Sequence, residues 1–270
     1  MPPRFHFISG LPRSGSTLLG AILTQNPRFH AGMSSPLGGM FERMLEEMSA
    51  KNEFSVGFDD GARQRVLRGL FENYYADRHA EIVFDTNRIW CAQMPALAEI
   101  FPESCVIACV RDLPWVLDSI ERVVTRNSLS PSSIFNYVAQ GTVYTRATGL
   151  MSSSGLIGYA YDALKQAYFG EQAHRLILVQ YETLVRDPAH SLRAIYDFLD
   201  EEYFGHDFQH VEFDDHGFDV NIGTPGLHRV RPRVSPHTRP TLLPPDLFDL
   251  FENRSFWRDP QSNRGSVRIV

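Results

Sequence analysis

Residues Gly10-Leu11-Pro12-Arg13-Ser14-Gly15-Ser16-Thr17 lie between two apolar stretches, and this placement restricts the folds open to the chain. The run before them, Arg4-Phe5-His6-Phe7-Ile8-Ser9, is short enough for a buried strand. The run after them, Leu18-Leu19-Gly20-Ala21-Ile22-Leu23, is free of Pro and predicts a helix. A strand, a Gly-bearing loop and a helix N-terminus together form an anion cradle, because free backbone N–H groups and the positive end of the helix dipole face one point. Gly10 and Gly15 have the spacing of the nucleotide P-loop G-x-x-x-x-G-K-[ST]. The Lys position, however, is Ser16, and the cation has moved into the loop as Arg13. Phosphoryl transfer from ATP relies on that Lys and on a Mg²⁺-binding pair. Neither is evident here, so the loop is expected to hold an anion by other means. A plain Gly/Ser turn with an exposed Arg is the competing reading.

The rest of the chain alternates strand and helix signals. Strands are predicted at Phe29–Gly32, Glu81–Asp85, Cys105–Val110 and Arg175–Tyr181. Cys105-Val106-Ile107-Ala108-Cys109-Val110 is continuously apolar, as strands of buried parallel sheets are. Helical spacing is expected over Leu37–Met48, Gly61–Asp77, Cys91–Phe101, Pro114–Arg126, Ile134–Leu150, Gly155–Phe169, Ala189–Leu199 and Leu247–Phe256. Residues 205–239 lose periodicity and gain Gly, Pro, His and Arg, and about 258–270 read as a polar tail. The expected fold is α/β, a P-loop NTPase-like three-layer arrangement with a central, mostly parallel sheet and helices on both faces. All of residues 1–270 are expected to form a single domain.

Composition removes several function classes. A net charge of -6 argues against a nucleic-acid partner. The apolar runs fall short of the roughly 18 residues of a membrane span, and the N-terminus lacks the regions of a signal peptide. Three cysteines (Cys91, Cys105 and Cys109) have no framework spacing and fit reduced thiols, so a cytoplasmic location is expected. No metal site is expected. Homodimerisation stays open.

In a parallel sheet, ligands bind at the carboxyl ends of the strands. Four such ends carry chemistry here: the Arg13 loop, Asp85-Thr86-Asn87-Arg88, Arg111-Asp112 and Tyr181-Glu182. Ser119 lies two turns into the helix after Arg111. Ser is a poor choice for a helix interior unless its hydroxyl has a partner. Arg111 and Ser119 can therefore reach a second anionic group, distinct from the one in the loop, and a ligand with two separated anions follows.

These residues resemble the sulfotransferases. Leu11-Pro12-Arg13-Ser14-Gly15-Ser16-Thr17-Leu18 resembles their 5′-phosphosulfate loop, and Arg111 with Ser119 resembles their 3′-phosphate site. The loop is most similar to those of protein-tyrosine and bacterial sulfotransferases. Tyr181-Glu182-Thr183-Leu184-Val185 resembles the segment whose Tyr helps hold the nucleotide. Gly226–Val234 resembles, more loosely, a basic loop that closes over the 3′-phosphate. The resemblance implies metal-independent, in-line transfer of a sulfuryl group from 3′-phosphoadenosine-5′-phosphosulfate (PAPS) to an acceptor hydroxyl or amine, leaving adenosine 3′,5′-bisphosphate (PAP). It assigns Arg13, Ser14, Gly15, Ser16, Thr17, Leu18, Arg111, Ser119, Tyr181, His228, Arg229 and Arg231 to the nucleotide. The acceptor, whether peptide, lipid, glycan or small molecule, stays open.

The acceptor must lose a proton, which calls for a general base. Tyrosine sulfotransferases place a Glu where this chain has about Ser34. Cytosolic enzymes use a His within Lys-Thr-His, where this chain has Thr86-Asn87-Arg88. Arg88 is then expected to replace the missing cation, with Asp85 first among the bases and His30 and His228 behind it. Asp85 reads equally as a buried carboxylate that orients its neighbours. The competing functions are an atypical P-loop kinase and a non-catalytic nucleotide-binding protein of the same fold.

Overall fold

The structure is a computed structural model that describes residues 3–49, 53–129, 141–213 and 217–270. Its centre is a sheet of six strands: β1 (Arg4–Gly10), β2 (Phe29–Ser34), β3 (Ile82–Thr86), β4 (Val106–Val110), β5 (Leu176–Gln180) and β6 (Arg268–Ile269). The strand order is β2-β3-β1-β4-β5-β6, and all five pairings are parallel. Alternate strand residues enter two separate cores. Phe5, Phe7, Val106, Ala108, Val110, Leu176 and Leu178 face one layer of helices, while Ile8, Ile107, Cys109, Ile177 and Val179 face the other. This explains why β4 reads as a continuous apolar run: both of its faces are covered.

The first layer contains α2 (Leu37–Glu47), α3 (Asp60–Tyr74), α4 (Met94–Ile100), α5 (Leu113–Arg126), α6 (Val143–Met151), α7 (Leu156–Phe169) and α11 (Pro245–Glu252). The second contains α1 (Ser16–Leu23), α8 (Tyr181–Arg186) and α9 (Pro188–Leu199). The expected three-layer α/β architecture is therefore present. The stretch read as one helix over Cys91–Phe101 divides into a 3-10 turn, Arg88–Cys91, and then α4, which begins where Pro95 can occupy the first turn. Of the helix expected over Ile134–Leu150, residues 134–140 lie outside the described residues; α6 starts after Thr142, whose side chain caps it together with Thr145. The stretch read as a polar tail differs most. Its last residues form β6, with Val267 and Val270 buried and Val270 N–H donating to the Leu178 carbonyl.

His6 fixes a pH dependence. It is 3% exposed on β1, packs against Phe84, and its Nδ1 accepts the Cys105 backbone N–H at 3.1 Å. Burial, with the charge of Arg4, lowers its pKa to about 4 from an ordinary 6.5. The unfolded chain thus binds more protons than the folded one between these values, so stability falls as pH drops through that window. The loss for His6 is about 3 kcal/mol by pH 4. Half-buried His206, whose burial also lowers its pKa to about 4, adds to the same slope. Urea unfolding of His6→Phe should give lower stability at pH 7, because Cys105 loses its acceptor, but a flatter decline towards pH 4.5. An unchanged slope would remove His6 from this role.

Candidate functional site

The loop between β1 and α1 is shaped by two glycines. Gly10 has φ +98°, and a Cβ there would lie 2.2 Å from the Cys109 carbonyl oxygen, so β1 and β4 can diverge around the loop only with Gly at this position. Gly15 has φ +95° and caps α1; a Cβ there would meet Tyr181 Cδ2 at 2.9 Å. No side chain caps α1, so the first N–H groups of the helix stay directed at the space above the loop. Arg13 is a non-glycine at φ +60°. Such a backbone costs about 1–2 kcal/mol and survives where its surroundings hold it in place. Ser14 differs from its neighbours: it is fully buried, and its hydroxyl turns back to the Pro12 carbonyl at 3.4 Å. Ser16 and Thr17 remain partly accessible at the helix start, and Leu18 packs into the second core.

Three arginines converge over this loop. Arg13 Nε donates to Ser119 Oγ at 3.1 Å, and its Nη1 donates to the Leu227 carbonyl. Arg111, at the end of β4, lies with its guanidinium 4.3 Å from the Tyr181 ring centroid and within 3.9 Å of Glu182. Its Nε is buried without a hydrogen-bond partner among the described residues. Burial, then the charges of Arg111 and Arg239, push Arg13 down to about 10, although Asp219 and Tyr181 pull the other way. Arg239 is likewise lowered, by burial and in part by Arg111. Like charges held this close repel, and a multiply charged anion placed among them would offset that repulsion.

The long segment after α9 supplies the roof. Asp118, fully buried on α5, accepts from Arg122 at 3.0 Å, Arg239 at 2.6 Å and the Leu242 backbone N–H at 2.7 Å. This carboxylate fastens the end of the segment beside Ser119. Further up, in α10 (Phe218–Asn221), Asp219 is 1% exposed and accepts both the His228 backbone N–H (2.7 Å) and His228 Nδ1 (2.6 Å). Arg229 and Arg231 are exposed and make no ion pair among the described residues. The cation that joins Arg13 and Arg111 is instead Arg239.

The Gly-shaped loop carrying Arg13, Arg111 at the end of the adjacent strand and Ser119 on α5 all lie in a stretch that matches a known family. The sequence matches the model of the sulfotransferase family over residues 6–205. The chain belongs to that family. It is 26% identical over 201 residues to protein-tyrosine sulfotransferase 1 of Danio rerio, covering 72% of this chain and 52% of that protein. It is 26% identical over 233 residues to protein-tyrosine sulfotransferase 2 of Gallus gallus, covering 82% of this chain and 55% of that one. The chain thus spans about half the length of these relatives. Two solved structures share the fold. The sulfotransferase domain from the curacin biosynthetic pathway has a TM-score of 0.54 at 17% identity, covering 100% of this chain and 99% of that one. The sulfotransferase domain of the Synechococcus PCC 7002 olefin synthase has a TM-score of 0.51 at 21% identity, covering 95% and 96%.

Within this sulfotransferase fold the residues after β3 take up different places from those the sequence suggested. Asp85 is fully buried on the face of the sheet covered by the first layer of helices. Its Oδ2 accepts from Tyr75 Oη at 2.6 Å and its Oδ1 from Trp90 Nε1 at 2.7 Å. Burial raises its pKa, and the hydrogen bonds from Ser35, Tyr75 and Trp90 oppose the shift. A carboxylate so enclosed has no open face for an acceptor proton, and this geometry favours the orienting role over that of base. Arg88 heads the 3-10 turn after β3, where burial, opposed by Tyr159 of α7, lowers its pKa. His30 lies at the amino end of β2 against Tyr75, paired in register with Val83 and away from the carboxyl ends of the strands. Ser34, at the end of β2, is exposed and carries no carboxylate.

Sequence reasoning missed Asp118 and Asp219, and it read Arg239 only as the last of four cations in the late basic stretch. Asp118 had a weak signal, a carboxylate four residues before Arg122 on a helix. Asp219 had none, since its partner lies nine residues on across an aperiodic stretch. Among the described residues, no group of three or more His, Cys, Asp or Glu converges as metal ligands do, and no helix is long and apolar enough to cross a membrane.

Proposed function

We propose that this chain transfers a sulfuryl group from PAPS to an acceptor hydroxyl or amine, within a single domain over residues 1–270. The observation that carries the reading is the meeting of Arg13 and Arg111 above the uncapped N-terminus of α1, with Ser119 within hydrogen-bonding distance of Arg13. The residues fit a nucleotide with two anionic ends. Arg111 Nε, 3.9 Å from Glu182 Oε1, is a buried donor with no hydrogen bond among the described residues, and Gly15 lets the Tyr181 ring pack close against the loop. Bound PAPS supplies the activated sulfuryl group.

The chain's own groups do the remainder. Backbone N–H groups of the loop and the α1 N-terminus hold the 5′-phosphate. Arg13 offers its planar fork to the charge that develops on the bridging and sulfuryl oxygens. Arg111, steadied by the Tyr181 ring and assisted by Ser119, binds the 3′-phosphate. Arg88, at the start of the turn after β3, is the cation offered to the sulfuryl oxygens from that strand end. The names of the relatives put tyrosyl hydroxyls first among acceptors to assay. Three free thiols agree with a reducing, cytoplasmic setting.

Isothermal calorimetry tests the donor. PAP is expected to bind in metal-free buffer, and ATP with Mg²⁺ to bind weakly or not at all. Tight ATP–Mg²⁺ binding with no PAP binding would replace this reading with a P-loop kinase.

A further inference from the structure

We propose that His228, held by Asp219, is the general base that deprotonates the acceptor. The inference rests on the sulfuryl-transfer reading above. His228 lies beyond residues 6–205, the stretch that matches the family model, and the positions where related enzymes carry a Glu or His are Ser34 and Thr86-Asn87-Arg88 here.

Four observations converge. First, the Asp219 carboxylate is 1% exposed and fully engaged, with one oxygen on the His228 backbone N–H at 2.7 Å and the other on Nδ1 at 2.6 Å. A buried carboxylate on Nδ1 fixes that nitrogen as the N–H donor and leaves Nε2 with its lone pair, the tautomer a base needs. Second, Nε2 makes no hydrogen bond to the described residues, and the largely covered side chain keeps 18% exposure. Third, the dyad is next to the transfer machinery. The residue before it, Leu227, gives its carbonyl to Arg13 Nη1, and the Asp219 charge is felt at the Arg13 guanidinium. Fourth, the rival carboxylate is closed: both Asp85 oxygens are occupied and the group is fully buried. Phe218 packs its ring edge against the imidazole at 5.5 Å and limits its rotation.

The step balances without further reagents. Nε2 takes the acceptor proton as the acceptor oxygen bonds to sulfur. The bond from sulfur to the 5′-phosphate oxygen breaks, and its electron pair leaves with PAP. The imidazolium, stabilised by Asp219, later gives the proton to solvent. Asp219 is a positioning residue throughout.

The test uses the full chain and two readouts. Long-range ¹H–¹⁵N correlation spectra at pH 7.5, assigned with His228→Gln, should show Nδ1 protonated and Nε2 bare, and Asp219→Asn should move the ring towards the other tautomer. Sulfuryl transfer from PAPS to tyrosyl peptides and simple phenols, at saturating donor, should fall about 10²–10⁴-fold in kcat for His228→Gln. PAP affinity by calorimetry should stay within threefold of the parent, and Asp219→Asn should lose less kcat than His228→Gln. An Nε2–H tautomer in the parent overturns the proposal, with or without activity, as does a His228→Gln kcat within threefold of the parent. A large loss of PAP affinity in His228→Gln with kcat preserved overturns it too, by making His228 a nucleotide ligand. If the parent itself binds no PAP, it is the sulfuryl-transfer reading that fails, which the calorimetry reports separately.

Discussion

Arg13→Ala is expected to remove turnover while the protein stays folded. The guanidinium is the only charged group that the loop itself directs over the α1 N-terminus, and in the proposed transfer the charge it meets grows as sulfur leaves the phosphate. Losing one such donor costs about 10²–10³-fold in kcat, and a second donating nitrogen on the same fork adds to the effect. Stability should change little. Ala inherits the left-handed backbone at φ +60°, so no strain is released. Two hydrogen bonds, to Ser119 and Leu227, are lost, but the repulsion from Arg111 and Arg239 is lost with them. Melting temperature should move by no more than a few degrees. Arg13→Lys should recover only part of the rate, since it keeps the charge without the fork. Parent-like kcat in Arg13→Ala at saturating donor would end its assigned role.

Arg111→Ala should act on binding instead. Its guanidinium is largely enclosed between the Tyr181 ring and Glu182, with Nε unpartnered. Truncating a buried, charge-assisted contact costs roughly 2–5 kcal/mol, so PAP should bind about 100-fold more weakly or worse. The rate at saturating donor should stay within a few fold, because the 3′-phosphate is remote from the bond that breaks. A calorimetric titration paired with steady-state kinetics separates the two terms. A collapse of kcat with PAP affinity intact would exchange the roles of Arg111 and Arg13.

Much of this was legible in the chain because it is local. The β1–loop–α1 unit declares itself through Gly10, Gly15 and the apolar runs on either side. The β4 strand announces that it is covered on both faces by lacking any polar alternation. Arg111 and Ser119 follow from a strand end and a helical repeat. What was not legible depends on contacts between distant segments. Asp85 looks the same in sequence whether it faces a cleft or a core; Tyr75 and Trp90, arriving from α3's end and the 3-10 turn, help to enclose it. The polar tail conceals β6 because a two-residue edge strand leaves no period to detect. Arg239 read as one more cation of a basic stretch, and it took Asp118 to bring it to the cluster while Arg229 and Arg231 remained outside.

Asp118 has a further consequence. By gripping Arg239 and the Leu242 N–H, it anchors one end of the roof to α5, while the Asp219–His228 pair and the Arg13–Leu227 contact anchor the other. The chain between these anchors is a short closed loop rather than a free arm. A closed loop has already surrendered most of its conformational entropy during folding, so little remains to be lost when substrates arrive. Rigidity in this roof is therefore a reserve of affinity, stored in a carboxylate buried beneath it.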